Sequence, residues 1–236
     1  MPDTAEVARN LEKIRGAVAR AAERSGRGAQ EVAVMAVTKN FPLEQVQAAC
    51  AAGLRLFGEN RVQEAEAKYV PRGGLPPLAL HLIGHLQRNK ARKAAELFEA
   101  VQSIDKIQTA QALEAACVTA GRTLEVLLEM NTSGEPTKFG FESEEALLAA
   151  VEPILGLPHL RLRGLMTVGP LAGDRDEVRG AFRRLARLFE RLRAVYPEQA
   201  LDTLSMGMSG DFETAVEEGS TLVRLGTALF GARGNP

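Results

Sequence analysis

The chain opens on a helix-period pattern and then alternates short apolar runs with longer amphipathic stretches. From Thr4 to Ser25, Val7, Leu11, Ile14 and Val18 recur at spacings of three and four, predicting an amphipathic helix that Gly26 and Gly28 stop. Apolar runs then predict strands near Val32–Thr38, Leu54–Phe57, Leu78–Ile83, Ala100–Ile104, Leu124–Met130, Leu160–Thr167, Thr203–Met206 and Thr221–Leu225. Helical stretches fall between them, over Pro42–Ala52, Arg61–Tyr69, Asn89–Glu99, Lys106–Ala120, Ser143–Ile154, Asp174–Tyr196 and Asp211–Glu218. Runs that are apolar on both faces suit a parallel sheet covered by helices. Eight such strands with helices between them call for right-handed crossovers and suit a closed (β/α)8 barrel, with a doubly wound open sheet as the alternative. No linker, low-complexity tract or long-period repeat interrupts the pattern, so residues 1–236 are expected to form a single TIM-barrel domain, with 1–26 an extra helix packed on it. The segment Gly73-Gly74-Leu75-Pro76-Pro77 reads as a loop before the third strand.

Composition narrows the partners. A 45% hydrophobic content over 236 residues supports a substantial core. Lys plus Arg number 29 against 30 Asp plus Glu, so no global basic excess exists to hold a nucleic acid or an anionic membrane, and a small ligand is the natural partner. Cys50 and Cys117 fall in Ala-rich helical segments without a Cys or His at ligand spacing and read as small apolar packing groups. The start, Met1-Pro2-Asp3-Thr4-Ala5-Glu6, lacks the features of a signal peptide, and no apolar run is long enough to span a bilayer, so a cytoplasmic location is expected.

Lys39 closes the first strong apolar run, Val32-Ala33-Val34-Met35-Ala36-Val37-Thr38-Lys39. Ligands of α/β proteins bind at the carboxyl ends of strands, and a lysine in a partly desolvated site there can lose its proton and attack an aldehyde; a lysine merely leaving the strand into solvent is the other reading. In a barrel all strand ends converge. The same face then gathers Gly58-Glu59-Asn60, Gly84-His85-Leu86-Gln87, Ser103-Ile104-Asp105, Asn131-Thr132, Met166-Thr167, Ser205-Met206-Gly207-Met208-Ser209 and Arg224-Leu225-Gly226-Thr227. The last two segments combine glycines, the hydroxyls of Ser209 and Thr227, and helix starts, which together suit a phosphate. Arg224 lies inside a strand, where a guanidinium needs a partner, and reads as a barrel-interior donor. Facing a pyridine nitrogen, it would keep that nitrogen unprotonated. Asn60 suits a ring substituent, while Glu59 reads as either a functional or a structural acceptor. His81 and His85 lack a third ligand at metal spacing and read as core or rim residues. The run Arg88-Asn89-Lys90-Ala91-Arg92-Lys93 reads as a solvated face, with a phosphate or partner contact as the alternative, and Lys138 as a surface loop lysine.

These motifs, in this order, resemble the pyridoxal phosphate homeostasis protein family. The likeness rests on Ala36-Val37-Thr38-Lys39, Phe57-Gly58-Glu59-Asn60, His81-Leu82-Ile83-Gly84-His85-Leu86-Gln87, Ser103-Ile104-Asp105, Arg163-Gly164-Leu165-Met166, Ser205-Met206-Gly207-Met208-Ser209-Gly210-Asp211 and Val223-Arg224-Leu225-Gly226-Thr227-Ala228-Leu229-Phe230-Gly231. The resemblance implies the barrel of the alanine racemase type (fold type III) and a Schiff base between Lys39 and pyridoxal 5′-phosphate. Arg224 would then face the pyridine nitrogen, Ser209, Gly226 and Thr227 would hold the phosphate, and Asn60 and Met166 would line the ring. Thr38, Asn40 and Arg61 depart from the family pattern, where serine, threonine and tyrosine are usual. The tail Ala232-Arg233-Gly234-Asn235-Pro236 is lysine-free, so no role of tail lysines carries over.

Two functions follow from the resemblance. One is a carrier without a dedicated catalytic activity, which holds the cofactor, maintains vitamin B6 and amino acid homeostasis, and supplies apo-enzymes as a monomer. The other is a pyridoxal phosphate-dependent amino acid racemase. A two-base racemase needs an acid/base group opposite the lysine, usually a tyrosine supplied by a neighbouring subunit's added β domain. No such domain is expected after the barrel, and the only tyrosines, Tyr69 and Tyr196, are placed by the pattern in helices away from the strand ends. A Schiff-base aldolase, with Glu59 or Asp105 as proton shuttle, is a third possibility.

Overall fold

The eight apolar runs become β1 (Ala33–Val37), β2 (Leu56–Glu59), β3 (Ala79–Leu82), β4 (Ala100–Ile104), β5 (Leu124–Glu129), β6 (Leu160–Met166), β7 (Thr203–Ser205) and β8 (Leu222–Leu225). The structure is a computed structural model and describes residues 3–70, 75–135, 138–170 and 173–232. All neighbouring strands run parallel, and β8 closes on β1 with Ala33 opposite Leu222 and Ala36 opposite Leu225. The sheet is therefore the closed barrel, not the open alternative. Between the strands run α2 (Leu43–Ala51), α3 (Val62–Tyr69), α4 (Ala91–Leu97), α5 (Ile107–Ala120), α6 (Glu144–Leu155), α7 (Arg175–Val195) and α8 (Phe212–Glu217), with α9 (Thr227–Phe230) after β8.

The amino-terminal helix α1 (Thr4–Arg24) starts on Asp3, whose side chain accepts from the Glu6 N–H at 2.8 Å. Its apolar stripe, from Val7 through Leu11, Ile14 and Val18 to Ala21, is buried against α2, α8 and α9. Because α9 is a single turn, α1 covers the flank of β8 and β1 that a full eighth helix would cover. Arg24 fastens it there by pairing with Glu213 at 3.2 Å and Glu217 at 2.7 Å.

Side chains alternate across each strand, and this decides which residues reach the site. Ala36, Leu80, Leu82, Val126 and Leu128 belong to the continuous apolar layer beneath the helices. Met35, Val37, Leu127 and Met166 are equally buried but stand apart from that layer, which puts them in the barrel interior. The same alternation carries Lys39, Asn60 and Glu129 to the inward side at the carboxyl mouth.

Two expectations need correction. Strand two begins two residues late, because the Leu54 N–H is spent closing the end of α2 on Ala49 O; Gly58 and Glu59 thus lie inside β2, and only Asn60 follows it. The predicted Asn89–Glu99 helix starts as a 3-10 turn over Arg88–Lys90 and stops at Leu97, since Phe98 is already extended and the Glu99 N–H pairs with Leu80 O. The one-turn α9 and a 3-10 turn at Ala29–Glu31 are too short to leave a periodic signal. Gly73 and Gly74 of the predicted loop and residues 233–236 of the lysine-free tail lie outside the described residues.

Gly164, with φ at 153°, marks the register shift between β5 and β6, and a Cβ there would sit 1.9 Å from Thr203 O on β7. Gly164→Ala is expected to destabilise the barrel by about 3 kcal/mol or more, since backbone on the neighbouring strand has to move. Urea denaturation checks this, and a loss under about 1 kcal/mol would contradict the rigidity of that seam.

Candidate functional site

The lysine turn is built from both sides. Beyond β1 the chain turns over Thr38–Phe41, with Phe41 N–H on Thr38 O at 3.0 Å, and half-buried Lys39 sits at its crest. Behind it, Thr38 Oγ1 donates to Glu59 Oε1 at 2.8 Å and shares a hydrogen bond with Tyr69 OH at 2.7 Å. Lys68 Nζ donates to Thr38 O at 2.6 Å and to Glu59 Oε1 at 2.7 Å. Burial pushes the Glu59 carboxyl upward, against the hydrogen bond from Lys68. Tied to Thr38 and Lys68 behind the turn, Glu59 acts as a structural acceptor. Tyr69, expected away from the strand ends, instead packs its hydroxyl against the residue before Lys39, because the carboxyl-terminal turn of α3 reaches the turn that follows β1.

Asn60 follows β2 and is pressed by Gly84, where a Cβ would fall 2.3 Å from Asn60 O. Only a glycine permits that approach, and Ser103 Oγ fixes it by donating to Gly84 O at 2.7 Å.

Arg224 points into the barrel from β8 and is 3% exposed. Its Nη1 donates to Ser205 Oγ and its Nη2 to Thr167 O, each at 2.7 Å. The polar chain continues across the interior: Ser205 Oγ donates to Gln102 Oε1 at 2.7 Å, and Gln102 Nε2 lies 2.9 Å from His81 Nδ1. An amide NH2 can only donate, so His81 accepts at Nδ1 and is the neutral tautomer protonated at Nε2. Desolvation of the half-buried residue's ring, which pushes His81 down to about 4, agrees. Burial also pulls Arg224 down to about 10, opposed by the charges of Glu129 and Asp211, so it remains a cation at neutral pH. Thus His81 is an interior network residue.

The loops after β7 and β8 are stitched together where Ser209 Oγ accepts the Ala228 N–H at 3.0 Å. Gly226 passes close to β1, a Cβ there being 3.4 Å from Val37 O, and Thr227 is exposed just beyond. The helices that follow have only six and four residues, so the helix-dipole contribution expected for a phosphate is small. Asp211 closes the Met208–Asp211 turn by accepting Met208 N–H at 2.5 Å, and burial pushes its carboxyl upward. A cavity of about 460 Å³ opens beside Ser209, between this turn and the start of α7.

Around the rim, Met166, Ser209, Arg224, Gly226, Thr227, Lys39 and Asn60 come from β6, β7, β8, β1 and β2 or the loops directly after them, five consecutive staves of the closed barrel. The other three staves carry a different set. After β3, His85 stacks on Phe139 at 4.0 Å and lies 3.3 Å from Asp105 Oδ2 without hydrogen-bond alignment. A cavity of about 570 Å³ beside Asp105, Phe139 and α6 is lined by none of the seven predicted ligand residues. Lys138 is no surface lysine: its side chain is 16% exposed, pairs with Glu135 at 2.7 Å and reaches Gly169 O at 3.3 Å. The Arg88–Lys93 run is a solvated face, where Arg92 pairs with Glu96, and Lys93 with Glu66 and Glu96.

Glu129 went unrecognised in the sequence. It ends β5, diametrically across the barrel from β1, and is 7% exposed. Burial raises its carboxyl to about 7, eased by Arg224 and reinforced by Asp105. Its only sequence signal is a charge in phase with inward-facing Leu127.

Fold and mouth together define a lysine-bearing barrel of the alanine racemase N-terminal kind. A family model described as "Alanine racemase, N-terminal domain" matches residues 5–234. The pyridoxal phosphate homeostasis protein of Pseudomonas aeruginosa is 44% identical over 227 residues, covering 96% of each chain. PipY of Synechococcus elongatus, solved without pyridoxal phosphate, superimposes with a TM-score of 0.87 at 37% identity, over 95% of this chain and 100% of that one. PipY solved with pyridoxal phosphate bound gives 0.84 at 36%, with the same coverage. The chain belongs to the pyridoxal phosphate homeostasis protein family.

Glu129 generates a test of the mouth's electrostatics. Its carboxyl titrates near 4.5 in the unfolded chain and about 7 in the fold, so the native state binds the proton more tightly and stability is lost as pH rises from about 4.5 to about 7. Glu129→Gln is expected to stabilise the protein by about 2–3 kcal/mol near pH 8 and to converge on wild type near pH 4. Urea denaturation at both pH values is the check, and equal stability at pH 8 would contradict the burial argument.

Proposed function

We propose that this chain binds pyridoxal 5′-phosphate at the barrel mouth, with Lys39 holding it as a Schiff base, and that it stores and hands on the cofactor without a dedicated catalytic activity. The observation that carries the reading is the placement of half-buried Lys39 on a fixed turn beside β8, the strand that holds a buried, still-protonated Arg224. The residues suit the group. Arg224 gives two of its five N–H hydrogens to protein acceptors and has others for a ring nitrogen, which it would leave unprotonated. The hydroxyls of Ser209 and Thr227 and the backbone at Gly226 supply donors for the phosphate, with Asn60 and Met166 beside the ring. Bound pyridoxal phosphate supplies an aldehyde carbon that takes up amines and a ring that withdraws electrons.

In this reading the recipients are apo-enzymes, and the chain works as a cytoplasmic monomer; among the described residues no helix is long and apolar enough to cross a membrane. One observation favours a second reading: Glu129, protonated about half the time at neutral pH, faces Lys39's stave from across the barrel, as an acid/base partner in a racemase would.

Titration with pyridoxal phosphate is expected to produce a visible absorbance band in wild type that Lys39→Ala loses. The loaded protein is expected to exchange bound cofactor with free amino acids slowly, without sustained racemisation. Multiple turnovers of alanine or another amino acid, followed by chiral chromatography, would replace the carrier with the racemase.

A further inference from the structure

Strain and buried charge gather on the residues either side of Lys39. Among the described residues, Asn40, with φ at 61°, is the single non-glycine of positive φ, a conformation that costs energy outside glycine. The Lys68–Glu59 pair behind the turn is buried, its side chains 8% and 0% exposed, and Glu59 Oε2 has no hydrogen-bond partner among the described residues. Such a pair is often no more stable than apolar side chains of the same volume, so stability alone does not account for it.

What these groups share is the lysine turn. Lys68 Nζ gives its three hydrogens to Thr38 O, Glu59 Oε1 and, at 3.1 Å, Glu64 Oε1. Glu64 Oε1 in turn accepts the Asn40 N–H at 2.5 Å. Helix α3 therefore grips the backbone immediately before Lys39 and immediately after it.

We infer that Glu64 and Lys68 are positioning residues for Lys39: they lock the Thr38–Phe41 turn so that Nζ is aimed at a carbonyl carbon in the mouth, without touching the ligand. The inference rests on the proposed function. In capture, unprotonated Nζ forms a bond to the aldehyde carbon, and its two hydrogens leave with the aldehyde oxygen as one water. The rate of that exchange depends on aim, whereas the hold on ring and phosphate belongs to Arg224 and the loops after β7 and β8. Capture rate and non-covalent affinity are thus separable.

The test compares wild type, Glu64→Ala, Glu64→Gln and Lys68→Met. Stopped-flow absorbance with saturating pyridoxal phosphate gives the capture rate. Calorimetry with pyridoxine 5′-phosphate, which carries an alcohol in place of the aldehyde, gives the non-covalent affinity. Glu64→Ala is expected to slow capture about tenfold to a hundredfold with the alcohol's affinity unchanged. Glu64→Gln keeps a side-chain carbonyl for the Asn40 N–H and is expected to restore most of the rate. Glu64 is partly exposed and tolerates the change; Lys68→Met, which keeps the stem and removes the ammonium, is expected to slow capture in the same way. Wild-type capture by Glu64→Ala overturns the inference, and so does an affinity for the alcohol that falls in step with the rate, since the clamp would then be general support. A wild type that binds the alcohol but never links to the aldehyde overturns the proposed function, and the inference with it.

Discussion

The pairing of β8 with β1 is the constraint on which everything else at the mouth depends. It joins the last strand to the first, in register from Ala33 and Leu222 to Ala36 and Leu225. Without it, Lys39 and Arg224 would stand at opposite edges of an open sheet. With it, the carboxyl ends of all eight strands share one rim, and five adjacent staves supply one polar, lysine-bearing arc. The helix α1 serves this closure from outside, covering the seam that the one-turn α9 leaves uncovered.

Closure also creates a problem that the interior solves with polar side chains. A guanidinium in the middle of a barrel requires acceptors, and an unpaired one would be prohibitive. Ser205 and Thr167 O take two of its hydrogens, and the chain through Gln102 ends on a neutral histidine that closes it without a second charge. Glu129 balances the same cation at longer range, though burial keeps it half-protonated near neutrality. The mouth therefore holds a permanent positive charge on one side and a titratable carboxyl on the other. Lys39 stands on the stave next to the cation and across from the carboxyl, on a turn set by hydrogen bonds, not by its own preference.

Much of this was legible in the sequence because the signals were local. The eight strands came from apolar runs, and the placement of Lys39, Asn60 and Arg224 followed from strand ends meeting in a barrel. What the sequence hid were interactions across staves. Glu59 and Tyr69 both meet Thr38, yet nothing in their spacing says that the last turn of α3 reaches the turn after β1. Glu129 belongs to no motif, and only the burial of Leu127 in the barrel interior shows that it turns inward. Lys138 seemed a surface lysine because its partner, Gly169 O, lies on the next βα loop. The start of β2 was misjudged because the end of α2 claims the Leu54 N–H, a tertiary detail that hydrophobicity does not encode.

The central claim is that Lys39, and no other lysine near the mouth, is the covalent anchor. The direct measurement is borohydride reduction of the protein loaded with pyridoxal phosphate, followed by peptide mass mapping. The account predicts a single stable adduct on the peptide that contains Lys39. An adduct confined to Lys68, Lys106 or Lys138, or none from a protein that shows the visible band, would contradict it.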